Sequence, residues 1–157
     1  MSSTLPTTTP AVSLFSKILV AIDGSEHSFK AAEYALDLAK LSGANIYAIT
    51  VTAIPASYHL TEVDVLSETS AHKGMEDAKI WFDHFNQQAK EKDVQLTTEL
   101  INSTRPVDYV ILEYAEENKM DLIVMGTRGR SGFKKLLLGS IASSVLTYSH
   151  CTVMVVK

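Results

Sequence analysis

Asp121-Leu122-Ile123-Val124-Met125-Gly126-Thr127-Arg128-Gly129-Arg130-Ser131-Gly132-Phe133-Lys134-Lys135-Leu136-Leu137-Leu138-Gly139-Ser140 runs from a short apolar stretch into a glycine-rich loop and out at a helix start. Large apolar residues in a row, stopped by turn formers, are what a strand buried on both faces requires. Gly126, Gly129 and Gly139 let backbone amides come close to an anion, and the helix after Gly139 aims its unpaired N–H groups at the same place. Ser140 is positioned to cap that helix or to donate to a phosphate oxygen. The competing reading is a plain turn after a strand. The loop has neither the Gly-Lys-Ser/Thr ending of a Walker loop nor the glycine spacing of the dinucleotide fingerprint, so neither function is borrowed.

Outward from this stretch the same punctuation repeats. Lys17-Ile18-Leu19-Val20-Ala21-Ile22 reads as a buried strand that stops at Asp23-Gly24-Ser25, and Phe29, Ala32, Leu36 and Ala39 then recur at helical spacing until Gly43 supplies a left-handed stop. Asn45 to Val51 is a second strand. Ala53 to Ser67 carries Pro55 and no clear period, so it reads as a long mobile loop placed to act as a lid. Met75, Ala78, Phe82, Phe85 and Ala89 form one stripe of a long second helix, with Trp81 at its edge, and such a stripe packs on a sheet. Val94 to Ile101 alternates, as a strand near a sheet edge does. Pro106 opens a third helix at its first position, behind a cap at Thr104 or Arg105, with Val107, Val110, Ile111 and Tyr114 on the buried face. Asp121 to Met125 is the fourth strand, Ser140 to Tyr148 the fourth helix and Thr152 to Val156 the fifth strand. Strict β-α alternation implies right-handed crossovers and a doubly wound α/β fold with a parallel sheet covered on both faces.

Ligands of such sheets bind beyond the carboxyl ends of the strands, where strand order reverses. The pattern alone leaves two orders open. Order 3-2-1-4-5 brings Asp23 and the Gly126 loop to one crevice and favours a nucleotide. Order 2-1-3-4-5 would permit a phospho-receiver, which needs an Asp at the end of strand three, where Ile101-Asn102-Ser103 stands instead.

At 157 residues and 46% hydrophobic content the chain holds one core, read as a single domain over 15–157 behind a disordered Ser/Thr/Pro-rich tail at 1–14. No apolar run approaches the roughly 20 residues that cross a bilayer, and no secretion signal opens the chain. Cys151 is the single cysteine, which fits a reducing cytoplasm and excludes an internal disulfide or cysteine-based zinc cluster. His27, His59, His72, His84 and His150 show no metal-ligand spacing, so no resident metal is expected. A net charge of -4 argues against nucleic-acid binding. Against it, Arg128, Arg130, Lys134 and Lys135 make a local basic cluster suited to a small anion, although solubility alone also accounts for Lys134 and Lys135.

The spacing Gly126, two residues, Gly129, nine residues, Gly139-Ser140 resembles the nucleotide-binding signature of the ATP-binding branch of the universal stress protein family. The runs Ile18 to Ser25 and Asp121 to Gly126 resemble that family's first and fourth strands, and the likeness extends from about Phe15 to Lys157. The resemblance implies the 3-2-1-4-5 order, ATP in the crevice, with Mg as a possible companion, and a homodimer formed through the strand at 152–156. Carried over by position, it implies Asp23 near the ribose or a phosphate-bound metal and Ala21 and Ile22 lining the pocket. Val51 would offer backbone groups to adenine. Met125, Gly126, Arg128 and Gly129 would form the phosphate side, with Gly139, Ser140 and Ile141 holding phosphates at the helix start. Two turns depart from the family pattern, Thr104-Arg105-Pro106 and Ser149-His150-Cys151-Thr152. The function this implies is a dimeric, cytoplasmic stress-response sensor or regulator. Slow ATP hydrolysis or nucleotide transfer, and a dimeric interaction module without nucleotide, are the alternatives.

Overall fold

The structure is a computed structural model that describes residues 13–54, 63–129 and 137–157, with side chains described throughout these except at 63–71. The elements run β1 (Lys17–Ala21), α1 (Glu26–Ser42), β2 (Asn45–Ala53), α2 (Val63–Glu91), β3 (Leu96–Ser103), α3 (Val107–Glu117), β4 (Leu122–Gly126), α4 (Ser140–Tyr148) and β5 (Thr152–Val156). The five strands form one sheet of order β3-β2-β1-β4-β5, every neighbouring pair parallel. The order with the crevice between strands one and four is the one adopted.

The central strands read as unbroken apolar runs because helices cover them on both sides. On one side Ile18, Val20, Leu122 and Val124 pack against Ala32, Ala35 and Leu36 of α1 and against Ala78, Phe82, Phe85 and Ala89 of α2. On the other, Leu19, Ile49, Ile123 and Met125 pack against Ile111 and Ala115 of α3 and Ala142 and Val145 of α4. Ser25 caps α1 by accepting from the Ser28 amide at 3.1 Å. Gly43 ends it in the left-handed conformation at φ 73°, donating to Ala39 O at 2.8 Å.

Three local readings need correction. Ala53 belongs to β2 and 63–67 to α2, so the long loop is shorter than its sequence implied; 55–62, the remainder of the proposed lid, lies outside the described residues, as do 1–12 of the tail. The stretch 63–67 lacks an apolar period but also lacks Gly and Pro, and adding residues to a helix already nucleated by its packed half is inexpensive. Met75, assigned to the buried stripe, is 45% exposed. Pro106 is itself the N-cap of α3 rather than its first helical residue, with ψ at 144° and no side-chain cap.

Candidate functional site

The chain leaves β1 into α1 on one face of the sheet and leaves β4 toward α4 on the other, so the strand ends diverge and a crevice opens between them. A cavity of about 250 Å³ occupies it. All eleven residues singled out from the sequence line this cavity: Ala21, Ile22, Asp23, Val51, Met125, Gly126, Arg128, Gly129, Gly139, Ser140 and Ile141. Its volume is near the lower end of small-molecule sites, which start at about 300 Å³.

One end is apolar. Ile49 and Val51 of β2, Val107 and Ile111 of α3, and Ile141 and Ala142 of α4 supply its apolar lining. Ile22 N donates to Ile49 O at 2.9 Å, and backbone groups two residues on point the same way in a strand, so the Val51 carbonyl faces the crevice past the last paired residue of β1. A flat apolar ring system with a polar edge would find its complement there.

The other end is polar and built from backbone. Asp23 Oδ1 accepts from Ser25 N at 2.9 Å, which closes the turn before α1. A Cβ on Gly129 would lie 2.7 Å from Asp23 Oδ2, so glycine is what lets the β4 loop approach the Asp23 carboxylate. Gly139 N donates to Thr127 O at 2.6 Å, pinning the two ends of the loop together. Gly139, not Ser140, is the N-cap of α4, and it offers no side-chain cap. Gly139's own amide is thus spent on the loop, and the first-turn amides of α4, at Ser140, Ile141 and Ala142, are those a ligand would meet.

Arg128 brings a cationic side chain to the cavity wall. Its Nε is buried without a hydrogen-bond partner among the described residues. An unsatisfied buried donor is costly, and because Nε is shielded it is the rest of the guanidinium that brings positive charge to the cavity Arg128 lines. The polar end therefore fits a phosphate-bearing group: a cationic donor, open helix amides and a glycine cradle converge on it. Arg130, Lys134 and Lys135 of the basic cluster lie outside the described residues.

The sequence reading missed Thr127, Ser28, Val107, Ile111, Ile49 and Ala142 as lining residues. Thr127 is buried and uses its backbone on both sides, donating to Val156 O and accepting from Gly139 N, a role without a side-chain signature. Gly126, read as a phosphate-side glycine, has a packing reason of its own: a Cβ there would lie 2.6 Å from the His27 Cβ.

Residues 14–157 match the universal stress protein family. A universal stress protein of Methanocaldococcus jannaschii is 37% identical over 147 residues, spanning 92% of this chain and 83% of its own length. The universal stress protein YxiE of Bacillus subtilis is 36% identical over 151 residues, spanning 92% of this chain and 100% of its own. Among solved structures, universal stress protein UspA from Lactobacillus plantarum superposes with a TM-score of 0.76 at 25% identity, covering 91% of this chain and 98% of that one. The universal stress protein from Archaeoglobus fulgidus, solved in complex with dAMP, shares the fold at 19% identity and TM-score 0.64, covering 92% and 99%. A family protein from Arabidopsis thaliana with AMP bound does so at 16% and 0.64, covering 90% and 91%. Matched along nearly its whole length, the chain belongs to the universal stress protein family.

Proposed function

We propose that the chain binds an adenine nucleotide in the crevice between β1 and β4, that ATP is its ligand, and that it works as a homodimeric stress-response sensor or regulator in the cytoplasm. The observation that carries the reading is one cavity lined by Arg128, Gly129, Gly139 and the first turn of α4 together with the apolar Ile49, Val51, Val107 and Ile111. The dAMP and AMP complexes of proteins with this fold lend it support. Val51, Val107 and Ile111 would hold the base, and Arg128 with the α4 amides the phosphates. Among the described residues no three His, Cys, Asp or Glu side chains gather as a metal site, so Mg would arrive with the nucleotide and meet Asp23. The nucleotide would supply the phosphates that Arg128 and the α4 amides meet.

Binding is favoured over turnover. Among the described residues of the cavity, Asp23 is the only carboxylate and no histidine is present, so an attacking water has little to orient it. The dimer is proposed through β5, an edge strand whose outer backbone groups invite a second copy.

The test is calorimetric titration of nucleotide-free protein with Mg-ATP, using GTP and AMP as controls, with phosphate release followed in parallel. Saturable, adenine-selective binding with little release supports the reading. Folded protein that takes up no nucleotide would return the crevice to a purely structural role.

A further inference from the structure

The only tryptophan of the chain sits on α2, yet its ring does not simply fill the core between helix and sheet. A Cβ on Gly24 would lie 2.1 Å from Trp81 Cζ2 and 2.6 Å from Cη2, so the benzo edge of the indole rests on the Gly24 backbone. Gly24 holds φ at +81°, a conformation that other residues rarely adopt. Two independent demands, the backbone turn and the seat of the indole, therefore fall on one glycine. Phe29 of α1 steadies the ring from the side in an edge-to-face contact at 6.2 Å. Elsewhere the indole borders a void of about 20 Å³ shared with Ile22 and Phe85. The ring is therefore seated on the turn as well as packed against the core.

Of the residues flanking Gly24, Asp23 lines the crevice and Ser25 reaches the β4 loop beside it. Asp23 carries the carboxylate that approaches Gly129, and Ser25 Oγ makes a long contact with Arg128 O at 3.5 Å. α2 touches the same end of the sheet a second time, where a Cβ on Gly74 would be 3.5 Å from Thr52 Cγ2, next to Val51. We infer that Trp81 is a positioning residue for the crevice: its indole props the Asp23-Gly24-Ser25 turn from the α2 side and couples nucleotide affinity to the seating of that helix. The coupling is reciprocal, so whatever shifts α2 changes affinity and nucleotide shifts α2 in return. The affinity half rests on the nucleotide reading of the crevice.

The experiment uses the full chain carrying Trp81→Phe, a ring that keeps the aromatic layer but is too short to reach Gly24. In ligand-free protein, hydrogen exchange at the Ser25 amide reports directly on the Asp23 carboxylate that accepts from it. That amide is expected to exchange about tenfold faster in the variant, while strand amides such as Ile46 and Ile123 keep wild-type rates. Gly24→Ala, which drives a Cβ into the indole, is expected to do the same from the opposite side. In ATP titrations, Trp81→Phe should weaken binding about tenfold and add nothing further in an Asp23→Asn background, because both changes act through one carboxylate. Unaltered Ser25 exchange, or effects of Trp81→Phe and Asp23→Asn that simply add, overturn the assignment. If the wild-type chain binds no nucleotide, it is the nucleotide reading that fails, and the exchange measurement still decides what Trp81 does to the turn.

Discussion

Gly126 and His27 are in direct contact: a Cβ on residue 126 would stand 2.6 Å from the His27 Cβ and 2.8 Å from its carbonyl carbon. The end of β4 thus presses on the first turn of α1. Neither side can retreat cheaply, because β4 is paired with β1 and β5 and the obstructing atoms include backbone. Gly126→Ala is expected to destabilise the fold by about 1–3 kcal/mol, the ordinary cost of overpacking, read as a lower denaturation midpoint. A midpoint equal to the wild type's would show that the contact yields.

Gly129 calls for the opposite outcome. The atom that a Cβ would meet is the tip of a side chain, Asp23 Oδ2 at 2.7 Å, which can swing aside. Gly129→Ala should leave the unfolding free energy within about 0.5 kcal/mol of wild type, read from the denaturation midpoint. The displaced Asp23 should nevertheless weaken Mg-ATP binding by about tenfold, or ~1.4 kcal/mol. Loss of stability equal to that of Gly126→Ala would contradict the distinction.

The contrast between these glycines marks how far the sequence could be read. Apolar runs bounded by Asp-Gly or Gly punctuation announced the strands, and 3.6-residue stripes the helices, because each signal is local. The strand order became legible only through the family resemblance, since β-α alternation is common to several windings. What stayed hidden is made by residues distant in the chain. Trp81 reads as the edge of an aromatic stripe, and nothing near it announces that its ring meets Gly24. The first turns of α2 escaped notice because the residues at 63–67 lack an apolar period. Thr127 contributes only backbone, which no side-chain pattern encodes.

Arg128 bears on the balance between stability and binding. Replacing it by Met keeps an unbranched apolar stem and removes the Nε that has no partner in the described structure. The ligand-free variant is expected to melt no lower than wild type, since an unsatisfied buried donor costs about 1–3 kcal/mol. Its affinity for ATP should drop by roughly ten- to hundredfold, the value of a hydrogen bond to a charged group at about 1.5–3 kcal/mol. Adenosine, which carries no phosphate, should bind both proteins alike, and calorimetry with the two ligands makes the comparison.

One turn along α3 from Ile111 of the crevice, Tyr114 gives the fold an alkaline limit. Burial, followed by its hydrogen bond to Glu99, pushes the phenol from its ordinary 10.0 up to about 12. Between these values the folded chain holds a proton that the unfolded chain has released. The contribution is complete below pH 10 and lost as pH rises toward 12. Denaturant melts across this window should show a steeper decline for wild type than for Tyr114→Phe, which has no phenol to ionise. Parallel declines would mean that Tyr114 titrates alike in both states.

The proposed dimer rests on which way β5 turns its backbone. Val156 O accepts from Thr127 N at 2.9 Å, so Thr152, Met154 and Val156 direct their backbone groups at β4. Val153 and Val155 therefore direct theirs outward, away from the sheet. Proline at 155 deletes an outward N–H without touching the β4 ladder, and edge positions are where strands tolerate proline. If two copies join through these strands, Val155→Pro should sediment as a monomer while keeping wild-type circular dichroism. The nucleotide crevice lies on the opposite flank of β4, between it and β1, so ATP affinity should stay within about twofold of wild type, a difference of ~0.4 kcal/mol. A variant that still sediments as a dimer would move the interface elsewhere, and the exposed Leu146 and Tyr148 of α4 would be the next residues to change.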